Sequence, residues 1–159
     1  MYAAELACGI EGETFPRLGE CQRYVNSILA GTSWRLRYPH VHTVEVRDGG
    51  ASPCGSGRGR GAALMGSAHA GTIWLPRPTR FQRYIIHELA HLVQPRGTQA
   101  HGPEFCRIYL NGVHRILGPT AGEALATSFL AYGAKTQERA TNLLTRLPAS
   151  LAGLLVTGL

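Results

Sequence analysis

Two histidines and a glutamate lie close together in the run Arg83-Tyr84-Ile85-Ile86-His87-Glu88-Leu89-Ala90-His91-Leu92-Val93. On a helix, His87 and His91 are four residues apart and project from one face. That spacing lets two imidazoles reach one metal ion, with Glu88 beside them to move a proton. Ten residues after His91 comes His101, which opens the run His101-Gly102-Pro103-Glu104-Phe105. Together these are the residue types of three zinc ligands and a general base. Neutral imidazoles bind zinc at ~2.0–2.1 Å, and three of them leave a fourth tetrahedral position for water. Zinc lowers the pKa of such a water towards ~7, and Glu88 would take its proton and deliver it to a leaving amine. The implied chemistry is hydrolysis, most often of a peptide bond, with one zinc ion per chain.

Competing readings exist for each residue. A HExxH run can be a core helix with two partly buried histidines. Glu104, from the next helix, competes with His101 and would make a two-histidine, one-glutamate site; otherwise it supports a neighbouring group. His101 is preferred because only a short loop separates it from His91. Cys106 reads as a soft ligand or as a small buried thiol. His40, His42, His69 and His114 read as structural or surface histidines. Tyr84, Arg107, Tyr109 and His114 are near the site in sequence, but nothing in the sequence assigns any of them as an oxyanion donor.

The elements that must position these groups follow from periodicity. From Pro16 to Ala30, Leu18, Cys21, Val25, Ile28 and Leu29 recur at helical spacing, with Pro16 suited to the first turn and Gly31 to the stop. Residues 1–13 show no clear period and read as a loosely ordered start. Trp34 to Asp48 reads as extended, with Val44 and Val46 alternating with polar neighbours. Ala62–Ala68 and Gly71–Leu75 read as two short strands, the second ending at Pro76. Thr79 is the expected N-cap of the helix that bears the histidines, and Pro95 its stop. Pro103 opens a further helix through Leu117, the capping-box pattern Thr120-Ala121-Gly122-Glu123 opens another through Tyr132, and Gln137–Leu147 reads as one more. The order predicts an α+β fold. Its core spans about residues 16–118, with 119–159 a helical C-terminal extension of the same single domain.

Composition sets the remaining bounds. A chain of 159 residues can bury one core. The net charge of +6 comes almost wholly from arginine, Lys135 being the only lysine. This balance admits acidic partners such as nucleic acid but is equally a solvated basic surface. Six glycines lie between Gly49 and Gly61. Arg58 and Arg60 in that stretch are candidate substrate or phosphate contacts, although the stretch lacks the Gly-Lys-Ser/Thr ending of a P-loop. Cys8, Cys21, Cys54 and Cys106 form no Cys-x-x-Cys pair. With neither a signal-peptide pattern nor an apolar span long enough for a membrane, the expectation is a cytoplasmic protein with free thiols. A Cys8–Cys21 disulfide is the alternative if the chain is exported.

The run His87-Glu88-Leu89-Ala90-His91, followed by His101-Gly102-Pro103-Glu104-Phe105-Cys106, resembles the SprT-like (Spartan/Wss1-type) zinc metallopeptidases. That family carries HExxH on its active-site helix and a third histidine in an HGxxF-type motif. The chain is also similar to small HExxH metallohydrolases of actinobacteria and their phages, in which a strand like Gly71-Thr72-Ile73-Trp74-Leu75-Pro76 precedes the helix. The metzincin pattern is not met, because Gln94 and Gly97 stand where it needs glycine and histidine. The similarity is specific over residues 62–118. It implies a minimal zincin-like fold: a helix, a small three-stranded sheet, the HExxH helix and a ligand-bearing helix. It also implies His87, His91 and His101 as metal ligands, Glu88 as acid/base, and a protein or peptide substrate. Spartan-type members act on proteins crosslinked to DNA. This chain lacks their cysteine-rich zinc ribbon and long DNA-binding tail, so a DNA-dependent activity is not implied. Two rivals stay open: a zinc hydrolase of some non-peptide amide or ester, and a nucleic-acid-associated module with a structural metal.

Overall fold

A computed structural model describes residues 2–50 and 70–134 in full and 62–65 as backbone. Arg58, Arg60, Cys54, His69 and the helix expected over Gln137–Leu147 lie outside the described residues. The architecture is α+β: the described residues form six α-helices and one three-stranded sheet.

The first helix, α1 (Tyr2–Ala7), occupies a stretch expected to be loosely ordered. It has no apolar period of its own. Its stability comes from docking, with Ala4 and Glu5 buried and the Ser128 hydroxyl donating to the Ala4 carbonyl at 2.6 Å. Helix α2 (Leu18–Ala30) buries Cys21, Val25, Ile28 and Leu29, four of the five positions the periodicity gives. Pro16 stands before this helix rather than in its first turn. The helix starts after Arg17, whose backbone N–H donates to the Glu20 carboxylate at 3.0 Å.

Residues 34–37 are not extended as expected but belong to a short helix, α3 (Thr32–Arg37). The Gly31 carbonyl accepts the N–H groups of both Trp34 and Arg35, so a new turn begins where α2 ends. The buried Trp34 indole then donates to the Val41 carbonyl at 3.1 Å, fixing the exit towards the sheet. Strand β1 (Thr43–Asp48) pairs in parallel with β3 (Ala70–Leu75), and β2 (Ala62–Met65) pairs antiparallel with β3, giving the order β1-β3-β2. β3 is therefore central, and Ile73 and Leu75 are fully buried. The outer edge of β1 is occupied by a side chain. Gln22 of α2 donates to the Val44 carbonyl and accepts from the Val46 N–H, both at 2.8 Å.

After β3 the chain makes one 3-10 turn (Arg77–Thr79) and enters α4 (Gln82–Val93). Thr79 does not cap α4; its hydroxyl donates to the Pro76 carbonyl at 2.9 Å within the 3-10 turn. The orphan donors at the start of α4 are instead satisfied by main chain from the segment after α1. Gln82 N–H donates to the Glu13 carbonyl and Arg83 N–H to the Glu11 carbonyl, both at 3.0 Å. A β-bridge between Thr14 and Phe81 locks this junction.

Helix α5 (Pro103–Ile116) begins at a proline, whose missing N–H costs nothing there. Helix α6 (Pro119–Ala131) begins the same way after Gly118, at φ 98°. The expected capping box is absent, since Thr120 already lies inside the first turn. Ala4, Ala121, Leu125 and Phe129 all belong to the buried cluster, so α1 and α6 pack on the same hydrophobic core as the elements between them. Cys8, Cys21 and Cys106 are free thiols, and the Cys8–Cys21 disulfide is not formed. Among the described residues no helix is long and apolar enough to cross a membrane.

The α5–α6 crossing depends on Gly122. A Cβ at this position would meet the Cβ of His114 at 2.6 Å and its Cα at 2.9 Å, so backbone would have to move. Gly122→Ala is expected to destabilise the fold by about 1–3 kcal/mol, the usual cost of overpacking. A lowered urea midpoint with an unchanged m-value would record it.

Candidate metal centre

Helix α4 is packed on nearly all sides, and this burial fixes its two histidines. Ile85, Ile86, Leu89, Leu92 and Val93 enter the core, which leaves His87 and His91 on the remaining face, one turn apart. His101 reaches the same place from the loop between α4 and α5. The Gln94 amide shapes that loop, donating to the Thr98 hydroxyl at 2.8 Å and the Gln99 carbonyl at 2.6 Å. A hydrogen bond also ties Gln94 to His91. One residue at the end of α4 therefore controls both the second and third imidazoles.

The three Nε2 atoms form a nearly equilateral triangle, with edges of 3.2 Å (His87–His91), 3.0 Å (His91–His101) and 3.3 Å (His87–His101). Nitrogen ligands at ~2.0–2.1 Å from a tetrahedral ion lie about 3.3–3.4 Å apart, so the triangle has the size such an ion requires. Among the described residues this is the one cluster of histidine, cysteine, aspartate or glutamate that could hold a metal ion. Phe105, fully buried on α5, packs against all three rings with centroid distances of 4.2–5.0 Å and restricts their rotation. Burial, and then the neighbouring His87 and His101, push His91 down to about 3. Burial followed by His87 lowers His101 as well. His91 and His101 are therefore held as neutral imidazoles, the form that ligates metal.

Glu88 is 3% exposed. Its Oε2 is buried without a hydrogen-bond partner, and Tyr84 hydrogen-bonds the carboxylate. Burial raises its pKa against the opposing effects of His87 and Tyr84. A buried carboxylate oxygen with no partner is costly, and Glu88 bears that cost on the residue next to His87.

Glu104 does not join the triangle. Its carboxylate pairs with Arg107 one turn along α5, at 2.5 and 3.2 Å, which also engages Arg107. Cys106 is buried, with its thiol directed at the His101 carbonyl at 3.8 Å. His40, His42 and His114 are exposed. Of the residues near the site in sequence, Tyr84 stacks on the His87 ring at 5.6 Å with the planes 2° apart. Tyr109 is buried edge-on to the same ring.

Sequence reasoning missed α1. Glu5, 4% exposed, accepts a hydrogen bond from His87 Nδ1 at 2.6 Å. Arg83 lies at 3.9 Å from the same carboxylate oxygen, and its guanidinium also reaches the Tyr109 hydroxyl at 3.5 Å and the Ile10 carbonyl. Burial would raise the Glu5 pKa, but the hydrogen bond and electrostatic pull of His87, and then the charge of Arg83, bring it below the ordinary value. Tyr2 stacks on His87 and meets His101 edge-on, with centroids at 5.9 and 5.1 Å. One chemical clue was available. A histidine ligand needs an acceptor for its second ring nitrogen, and the chain has only ten acidic residues to supply it.

A cavity of about 400 Å³, lined by Ile28, Trp34, Ile86, Leu89, Ile108 and their neighbours, includes none of the three histidines in its wall. Comparison of the chain with protein-family models, with curated proteins and with solved structures gives no significant match.

Proposed function

We propose that this chain is a zinc-dependent hydrolase of minimal zincin-like fold, and, from its resemblance to the SprT-like family, a peptidase. The observation that carries this reading is the Nε2 triangle of His87, His91 and His101 with the unpartnered Glu88 oxygen on the same helix. The order of elements supports it: a helix, a three-stranded sheet, the HExxH helix and the helix that follows the third histidine. Zinc on three imidazoles supplies a Lewis acid and acidifies water towards a pKa of ~7.

The chain's own groups do the rest. His87, His91 and His101 hold their lone pairs towards one point, and Phe105 keeps the rings from turning. Glu88 Oε2 accepts a proton from the attacking water and returns it to the leaving amine. Tyr84, hydrogen-bonded to Glu88, orients that carboxylate. A structural zinc site is closed by four protein ligands. Among the described residues the cluster has three, which favours a hydrolytic centre over a purely structural one.

Purified protein is expected to carry about one zinc per chain by elemental analysis, and His87→Ala or His101→Ala to lose it. A well-folded wild type that takes up no zinc would sink the reading. Chelation should lower the thermal midpoint, because a ligand bound only by the folded state stabilises it. Glu88→Gln is expected to keep the metal and to lose about 10²–10⁴ in hydrolytic rate, the span of general acid–base catalysis. Proteome-wide cleavage profiling of wild type against Glu88→Gln checks both the loss and the peptide specificity. Cleavage products common to the two would remove Glu88 from the mechanism.

A further inference from the structure

We propose that Glu5 is the positioning residue of the metal centre, so that docking of α1 and metal binding form one linked equilibrium. The inference rests on the metal-site reading above and assigns a role to a segment outside the motif. An imidazole ligates through one nitrogen only if its proton sits on the other. The Glu5 carboxylate, 2.6 Å from His87 Nδ1 and almost wholly buried, holds that proton at Nδ1 and leaves Nε2 bare towards His91 and His101. The carboxylate is itself held. Arg83, one turn before His87 on α4, approaches it at 3.9 Å, and the Arg83 side chain donates onward to Tyr109 and to Ile10.

Glu5 can do this only when α1 is docked. The docking contacts are the Ser128 hydroxyl on the Ala4 carbonyl and the Tyr2 ring against His87 and His101. Whatever affinity docked α1 adds to the metal, bound metal returns to the docking of α1.

The test is zinc affinity, measured by chelator competition on folded wild type, Glu5→Gln and Glu5→Ala, with Glu11→Gln as control. The Glu11 side chain is exposed and only its backbone meets α4. Loss of such an outer partner weakens metal binding by about 10–100-fold. Glu5→Gln, which keeps the side-chain volume, is expected to lose about tenfold or more, Glu5→Ala to lose further, and Glu11→Gln to match wild type. Glu5→Gln binding zinc within about twofold of wild type would overturn the proposal and leave the metal site standing; a wild type that binds no zinc would overturn both. Should Glu5→Ala fail to fold, Glu5→Gln carries the comparison. Nitrogen-15 spectra of the zinc-loaded wild type decide without any variant. They should show His87 ligated through Nε2 with a deshielded proton on Nδ1, and ligation through Nδ1 would refute the assignment.

Discussion

Three imidazole nitrogens that face one another across 3.0–3.3 Å impose a constraint on the whole chain. Their lone pairs repel, and protonating any one of them brings a charge into a buried, low-dielectric place. Such a cluster persists only if the elements that carry it are held from outside. Helix α4 is held by apolar contacts on almost every side, Phe105 wedges the three rings, and Gln94 fixes the loop that returns His101. The hydrophobic core therefore does more here than stabilise. It keeps three mutually unfavourable groups at a spacing that a small cation would make favourable.

The electrostatics of the site distinguish two carboxylates. Glu5 is charge-paired and hydrogen-bonded, and so stays ionised despite burial. Glu88 has one oxygen without a partner, and burial raises its affinity for a proton. Two buried carboxylates near one imidazole thus have environments that push their proton affinities apart. That separation is a usual way for a protein to assign different roles to identical groups. The His87 hydrogen bond to Glu5 makes most of the difference, and Arg83, close to Glu5, adds to it.

Much of this was legible in the sequence because local rules governed it. The helical face bearing His87 and His91, the stop at Pro95, the proline start of α5 and the strand over Gly71–Leu75 all depend on residues within a turn or two of one another. What escaped notice depended on distant partners. Residues 2–7 have no helical period, and their helix exists because Ala4 and Glu5 find a place against α4 and α6. Thr79 has a good N-cap residue type, but the carbonyls of Glu11 and Glu13 reach the start of α4 first. Glu104 stood beside His101 in sequence, but Arg107 lies one turn along the same face and takes its charge. The Gly/Arg-rich stretch with Arg58 and Arg60 lies outside the described residues.

The capping of α4 by residues 11–15 also bears on how the molecule is made. Glu5 and His87 are 82 residues apart, and the Glu11 and Glu13 contacts with α4 span about as much chain. Closing a loop of that length costs entropy that no local structure repays in advance, and non-local pairings of this kind slow folding. On a ribosome the first fifteen residues must wait for α4 and the His101 loop to emerge before they have anything to dock against. The histidine cluster, although its motif is short and local, is therefore among the last parts of the molecule to be completed.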